Sequence, residues 1–236
     1  MSVETPAYSR PQEEIKSIFD RIASRYDFLN GFLSFQRDKS WRKRAVQKSL
    51  NGNEKSILDI GTGSGVFLEE FLNQHSFTRA VGLDISPEML TLARRRLGSK
   101  ATLLLSEGPQ LPFQGSEFEI VSTAFVLRSL PDILAFFKEI YRVLRPGGRL
   151  VILELTRPSK PAMKVLYHSY LNWYLPVIGR LFSGSQDAYK FLSSSIQKFY
   201  EVGETVEFLK LAGFNSVHIH SLTGGICTLV IAEKNS

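Results

Sequence analysis

The chain has 236 residues, 43% apolar and 22% charged, a balance that suits one globular unit able to bury a core without staples. A single cysteine, Cys227, and four scattered histidines exclude a disulfide framework and a zinc spacing, so an intracellular, metal-free protein is expected. The formal charge of +6 comes in short clusters, Arg37–Lys48 and Arg94–Lys100, without a run of like charges; nucleic acid is disfavoured, and either plain surface charge or attraction to anionic lipid fits.

The first residues, MSVETPAYSRPQEE, lack the basic-then-apolar pattern of a signal peptide, and no stretch of about 18 apolar residues reads as a membrane span. Pro11 followed by acids opens a helix in which Ile15, Ile18, Phe19, Ile22 and Tyr26 keep the helical period. A second helix is predicted from about Arg37 to Leu50, so residues 1–52 read as an N-terminal helical lid. Strands at Ser56–Ile60, Arg79–Asp84, Thr102–Leu105, Glu119–Thr123 and Leu150–Leu155 then alternate with helices at Val66–Asn73, Pro87–Leu97 and Asp132–Leu144. Ser86 and Gly98 cap the middle helix, and Pro146-Gly147-Gly148 stops the last. Residues 159–212 read as an aromatic-rich helical insertion. Val217–Leu222 and Ile226–Ala232, joined through Thr223-Gly224-Gly225, form a hairpin. The fold class is α/β: one domain with a doubly wound, mostly parallel, Rossmann-like sheet that ends in an antiparallel hairpin strand.

In such a sheet, ligands bind beyond the carboxyl ends of the strands. ILDIGTGSGVFLEEF places Gly61, Gly63 and Gly65 at one such end, where the absence of Cβ lets the main chain turn and approach a ligand. Val66 stands where a dinucleotide fingerprint wants its last glycine, and no Gly-Lys-Ser/Thr follows, so a ligand without a pyrophosphate is favoured. Asp84, 23 residues after Gly61, can accept both hydroxyls of a ribose. Glu107 can accept from an adenine amino group, with Gly108 donating from its backbone. Asp59 can orient the loop, or reach an ammonium group through water. Leu83, Ile85 and Met89 can flank an adenine ring or simply pack in the core. Ribose, adenine and a zwitterionic tail together describe S-adenosyl-L-methionine better than NAD.

LDIGTGSG, VGLDIS, LPF and RVLRPGGRLVILE resemble the motifs of class I S-adenosylmethionine-dependent methyltransferases. FDRIASRYDFLN, LSFQRDKSWRKRAV, AFVLRSLPD, LELTRP, SGSQDAYKFLSSSI and LTGGI resemble, more narrowly, the ubiquinone/menaquinone biosynthesis methyltransferases, over roughly residues 15 to 226. The resemblance implies methyl transfer to a ring carbon of a prenylated quinol, with S-adenosyl-L-homocysteine as product and no metal. It adds Thr62 and Phe125 to the cofactor set. Against the family pattern, Val66 replaces an Asp, Val126 a Gly and Ser129 an Asn, and Ser106-Glu107-Gly108 stands for Gly-Asp-Ala.

A ring carbon becomes nucleophilic when a neighbouring hydroxyl loses its proton, so an electrostatic stabiliser or base is expected beside it. Arg128, which matches the family arginine, is the first candidate: always charged, it can stabilise a phenolate or hold a water, or else pair with a nearby acid. Tyr26 and Asp27 are candidates for covering the cofactor, with packing and capping as their plainer roles. His168 is a weaker candidate base, and Arg157 a candidate for shaping the pocket. The segment VLYHSYLNWYLPVIGRLF, with Tyr167, Tyr170, Trp173, Tyr174 and Phe182 bordered by Lys164 and Arg180, suits an isoprenoid tail, a membrane interface or buried helix packing. The expected setting is cytoplasmic, peripheral at the inner face of the membrane, and a second copy of the chain is a candidate partner. Another lipid, phenolic or RNA acceptor is the alternative, and a non-enzymatic cofactor-binding protein a further one.

Overall fold

The computed structural model describes residues 12–106, 110–158, 163, 164, 167, 195 and 200–235. Apolar runs one strand long, separated by helical periods, produce seven strands in the order β3-β2-β1-β4-β5-β7-β6. β1 (Ser56–Ile60), β2 (Arg79–Asp84), β3 (Thr102–Leu105), β4 (Phe118–Ala124) and β5 (Leu144–Leu155) are parallel neighbours. β7 (Cys227–Glu233) lies between β5 and β6 (Ser216–Leu222) and runs antiparallel to both, as the hairpin predicts.

The central strands are apolar on both faces because each face carries helices. Successive side chains alternate between two cores. Leu58, Val121, Leu150 and Ile152 pack with Phe137, Ile140 and Val143 of α6 (Ile133–Val143) and with Leu209 of α7 (Val202–Leu211). Ile57, Ile120, Val151 and Leu153 pack with Trp41, Ala45 and Val46 of α3 (Arg37–Ser49), Phe67 and Phe71 of α4 (Val66–Gln74), and Ala93 and Leu97 of α5 (Pro87–Leu97).

Two local expectations change. The first helix does not continue to Tyr26: α1 (Gln12–Ile22) gives way to a 3-10 turn at Ala23–Arg25 before α2 (Tyr26–Leu33). Pro146-Gly147-Gly148 does not delay the fifth strand to Leu150. β5 starts at Leu144, directly after α6, and the register against β4 jumps between Phe118 and Ile120, so Arg145–Gly148 bulge within the strand. Gly147 donates to the Lys234 carbonyl at 2.8 Å and Lys234 to that of Gly148 at 2.9 Å, which keeps the bulge paired. Ser86 caps α5 as expected, its hydroxyl accepting from the Met89 amide at 3.1 Å, and Asp132 caps α6 by accepting from Ala135 at 2.8 Å. Of the insertion at 159–212, α7 is described, and Tyr170, Trp173, Tyr174, Arg180 and Phe182 lie outside the described residues.

Candidate active site

A cleft opens at the carboxyl ends of β1, β2 and β4. Its lining includes Gly61 and Gly63 from the glycine loop, Leu83 and Asp84 at the end of β2 with Ile85 after it, Met89 of α5, and Phe125 and Val126 after β4. Ile15, Phe19 and Tyr26 close one side, and Leu130, Asp132 and Phe136 another.

The loop is built by its glycines. Gly61, Gly63 and Gly65 all adopt left-handed backbone, with φ of 67°, 56° and 84°. At Gly61 a Cβ would sit 2.3 Å from Val126 Cγ2, so the valine that departs from the family pattern packs directly on this glycine. At Gly65 a Cβ would press on Leu97 and Ala93, so this glycine serves helix packing, not the cleft. Thr62 donates its amide to the Leu83 carbonyl at 2.8 Å and tethers the loop to β2.

Asp84 spans the loop and the next turn. One oxygen accepts from the Gly63 amide at 2.7 Å and the other from Ser86 at 2.9 Å. Burial pushes its carboxyl above the ordinary range, and these backbone donors pull the other way. An ionised carboxylate offers about four acceptor positions, so two remain for a ligand. Asp59 lies behind the loop and does not line the cleft. It is 1% exposed, accepts from the Ser122 hydroxyl at 2.6 Å, and its Oδ2 has no hydrogen-bond partner. Burial pushes its carboxyl up to about 6.

The β4 side is organised by charge. Arg128 does not line the cleft. It is 6% exposed, and its guanidinium donates to Glu154 at 2.5 Å. Glu154 also accepts from the Leu127 amide at 3.0 Å and its neighbour Leu155 at 2.9 Å, so it ties the end of β5 to the 3-10 turn at Leu127–Ser129. Burial raises the Glu154 carboxyl, and Arg128 opposes the rise. Phe125 holds a left-handed backbone, φ 62°, a strained state for a bulky residue. Two guanidinium carbons lie over its ring, that of Arg42 at 5.3 Å and that of Arg128 at 6.0 Å from the centroid. Arg42 is itself buried and bonded to Asp38 at 2.5 Å. Ser129, on the cleft wall, keeps a buried hydroxyl without a partner.

The lid is latched. Asp27 accepts from the Ser64 hydroxyl at 2.5 Å and pairs with Arg96, which also donates to the Ser64 carbonyl at 2.8 Å. Ser86 donates to Asp20. Ile15 and Ile18 pack against Phe19 and Ile85.

Of the sequence-predicted residues, the structure brings Tyr26, Gly61, Gly63, Asp84, Ile85, Met89 and Phe125 to one cleft. Asp59, Thr62, Gly65 and Arg128 stand behind it, and Glu107, Gly108 and His168 lie outside the described residues. Tyr167 is buried within electrostatic reach of Arg128, and burial pushes its phenol up. Arg157 pairs with Glu201 at 3.5 Å. Sequence reading missed Glu154, Arg42 and Asp38. The signals were an acid inside the apolar run LVILEL and a lone acid in a basic helix, since a buried charge requires a partner. Among the described residues no group of three metal-ligating side chains comes together, and no helix is long and apolar enough to cross a membrane.

Known proteins resemble this chain in sequence and in fold. The chain is 39% identical over 228 residues to the ubiquinone/menaquinone biosynthesis C-methyltransferase UbiE of Geotalea daltonii, covering 94% of this chain and 97% of that one. It is 37% identical over 220 residues to the demethylmenaquinone methyltransferase of Thermus thermophilus, covering 92% and 100%. Among solved structures, an S-adenosylmethionine-dependent methyltransferase from Aquifex aeolicus matches with a TM-score of 0.61 at 18% identity, covering 95% of this chain and 99% of that one. The phosphoethanolamine N-methyltransferase 2 of Haemonchus contortus, in complex with S-adenosyl-L-methionine, matches with a TM-score of 0.61 at 16% identity, covering 83% and 52%. A sequence model of the ubiE/COQ5 methyltransferase family matches residues 8–234, and the chain belongs to that family.

Proposed function

We propose that this enzyme methylates a ring carbon of a prenylated quinol, as the names of its relatives indicate for theirs, with S-adenosyl-L-methionine as donor. The observation that carries the reading is one cleft with two kinds of wall: a left-handed glycine turn facing a carboxylate with acceptor positions to spare, then an apolar flank of Phe19, Leu130 and Phe136.

The residues fit the donor. Asp84 has acceptor positions for a ribose diol, the main chain at Gly61 and Gly63 carries no Cβ into the cleft, and Leu83, Ile85 and Met89 offer an apolar slot for adenine. When bound, S-adenosylmethionine supplies a methyl group on a sulfonium, already activated toward a nucleophile. The chain must orient the acceptor and exclude water. Tyr26, latched through its neighbour Asp27, covers the glycine loop, and Phe125 forms the wall after β4. Arg128, bonded to Glu154, acts as a positioning residue that fixes Phe125 and the turn carrying Ser129. Asp132 puts a carboxylate on the cleft wall, to which a quinol hydroxyl can donate and pass its proton. The quinol's tail places the reaction at a bilayer surface.

The test is transfer of labelled methyl from S-adenosylmethionine to reduced demethylmenaquinol and to a benzoquinol precursor. Turnover on either quinol, and none on the oxidised quinones, supports the reading. Turnover only on RNA or on a small phenol replaces it with the alternative acceptor.

A further inference from the structure

Ser86 stands between two carboxylates. Its main-chain amide donates to Asp84 at 2.9 Å, and its hydroxyl donates to Asp20, near the end of α1. The same hydroxyl accepts from the Met89 amide at 3.1 Å and so caps α5. Ser86 is fully buried and a hydroxyl has one proton, so that proton is committed to Asp20.

Apolar side chains bring α1 to the same wall. Ile15 and Phe19 line the cleft, and Ile85, the residue between Asp84 and Ser86, packs with Ile15 and Ile18. The helix therefore lies on the β2 side of the cleft, and its Asp20 bonds to the residue that holds Asp84 and starts α5. A hydroxyl that gives its proton to a carboxylate becomes a stronger acceptor in turn. The Asp20 contact thus also firms the cap behind Met89, which lines the cleft.

We infer that Asp20 is a positioning residue for the methyl donor: through the Ser86 hydroxyl it docks α1 on the β2 wall and keeps Asp84 and Met89 in place. The inference rests on the reading of this cleft as an S-adenosylmethionine site. The coupling is reciprocal: if docked α1 favours the donor, the donor favours docked α1 by the same factor. A donor that requires the docked form binds more weakly as the docked fraction falls.

The experiment is calorimetric titration of S-adenosylhomocysteine into the full chain, with hydrogen exchange of residues 12–22 read in parallel. In wild type the ligand slows exchange of α1. Asp20→Ala speeds that exchange in the ligand-free protein and weakens binding by about ten-fold, as loss of a hydrogen bond to a charged group implies. Asp20→Asn keeps a neutral acceptor and weakens binding by about three-fold. In quinol turnover the Ala variant raises KM for the donor and leaves kcat at saturating donor unchanged. In a Ser86→Ala background the Asp20→Ala change adds nothing, because the group it acts through is gone. Wild-type affinity in Asp20→Ala overturns the inference, and so does an equal loss of affinity in the Ser86→Ala background. Should wild type bind no S-adenosylhomocysteine, faster α1 exchange in ligand-free Asp20→Ala upholds docking through Ser86 and places the failure in the donor reading; unchanged exchange overturns both.

Discussion

The two ends of the cleft are held by different physics. At β1 and β2 the wall is main chain: a left-handed glycine turn, fixed by one carboxylate that accepts from Gly63 and Ser86. At β4 and β5 it is Phe125 backed by buried charge: Arg128 on Glu154 and Arg42 on Asp38, with both guanidiniums over the strained ring. The first end stays open because side chains are missing. The second keeps its shape because side chains are paired, and a buried pair is vulnerable to loss of either partner.

That difference orders the expected effects. Arg128→Ala leaves the Glu154 carboxylate buried without its partner and is expected to destabilise the fold by about 3–5 kcal/mol, measured by urea unfolding. Cofactor affinity per folded molecule should change far less, and normal stability would show that the pair is dispensable. Gly61→Ala adds left-handed strain and a clash with Val126 and should destabilise by about 2–4 kcal/mol, with loss of cofactor binding. Val126→Gly in the same chain should recover the clash portion and leave the strain. Identical stability of the single and double variants would mean that Val126 does not pack on the loop.

Asp59→Asn tests the buried acid behind the glycine turn. Its folded pKa of about 6 lies above the usual Asp value, so the folded protein holds this proton longer than the unfolded chain does. Stability contributed by the protonated form is therefore lost as pH rises from about 4 through about 6, by up to about 3 kcal/mol. The Asn variant lacks that slope, so it should gain on wild type across the window in urea midpoints; parallel profiles would show Asp59 ionised in both states. The smallest effect belongs to the lid. Asp27→Asn weakens a half-exposed ion pair, and a loss of about 0.5–1 kcal/mol in stability is expected. A higher KM for the donor with a smaller change in kcat would mark the latch as functional.

The first end was the legible one. Gly61, Gly63, Asp84 and the Ser86 cap lie within 26 residues of sequence, and each is a residue type that one backbone conformation demands. The alternation of strands and helices followed from apolar run lengths, and the antiparallel hairpin from Gly224-Gly225. The second end was hard to read because, the local Arg42–Asp38 pair apart, its contacts join residues far apart. Arg128 meets Glu154 across two strand ends, 26 positions on, and Arg42 reaches Phe125 from another helix. No local pattern encodes such meetings, although Glu154 in an apolar strand required some partner. Arg128 was read as a candidate to stabilise a phenolate or hold a water, or else to pair with a nearby acid, and the structure pairs it with Glu154. The early start of β5 was hidden for a similar reason: Pro146-Gly147-Gly148 reads as a stop until the antiparallel partner at Lys234 is in place.

The most direct measurement is calorimetric titration of S-adenosylhomocysteine into wild type and Asp84→Ala. Two hydrogen bonds to a charged acceptor are worth about 3–6 kcal/mol together, so the variant should bind at least about 100-fold more weakly while remaining folded. On acidification, wild-type affinity should fall at a pH above the ordinary Asp range, as the raised Asp84 carboxyl takes up its proton. Undiminished affinity in a folded Asp84→Ala protein would contradict the account.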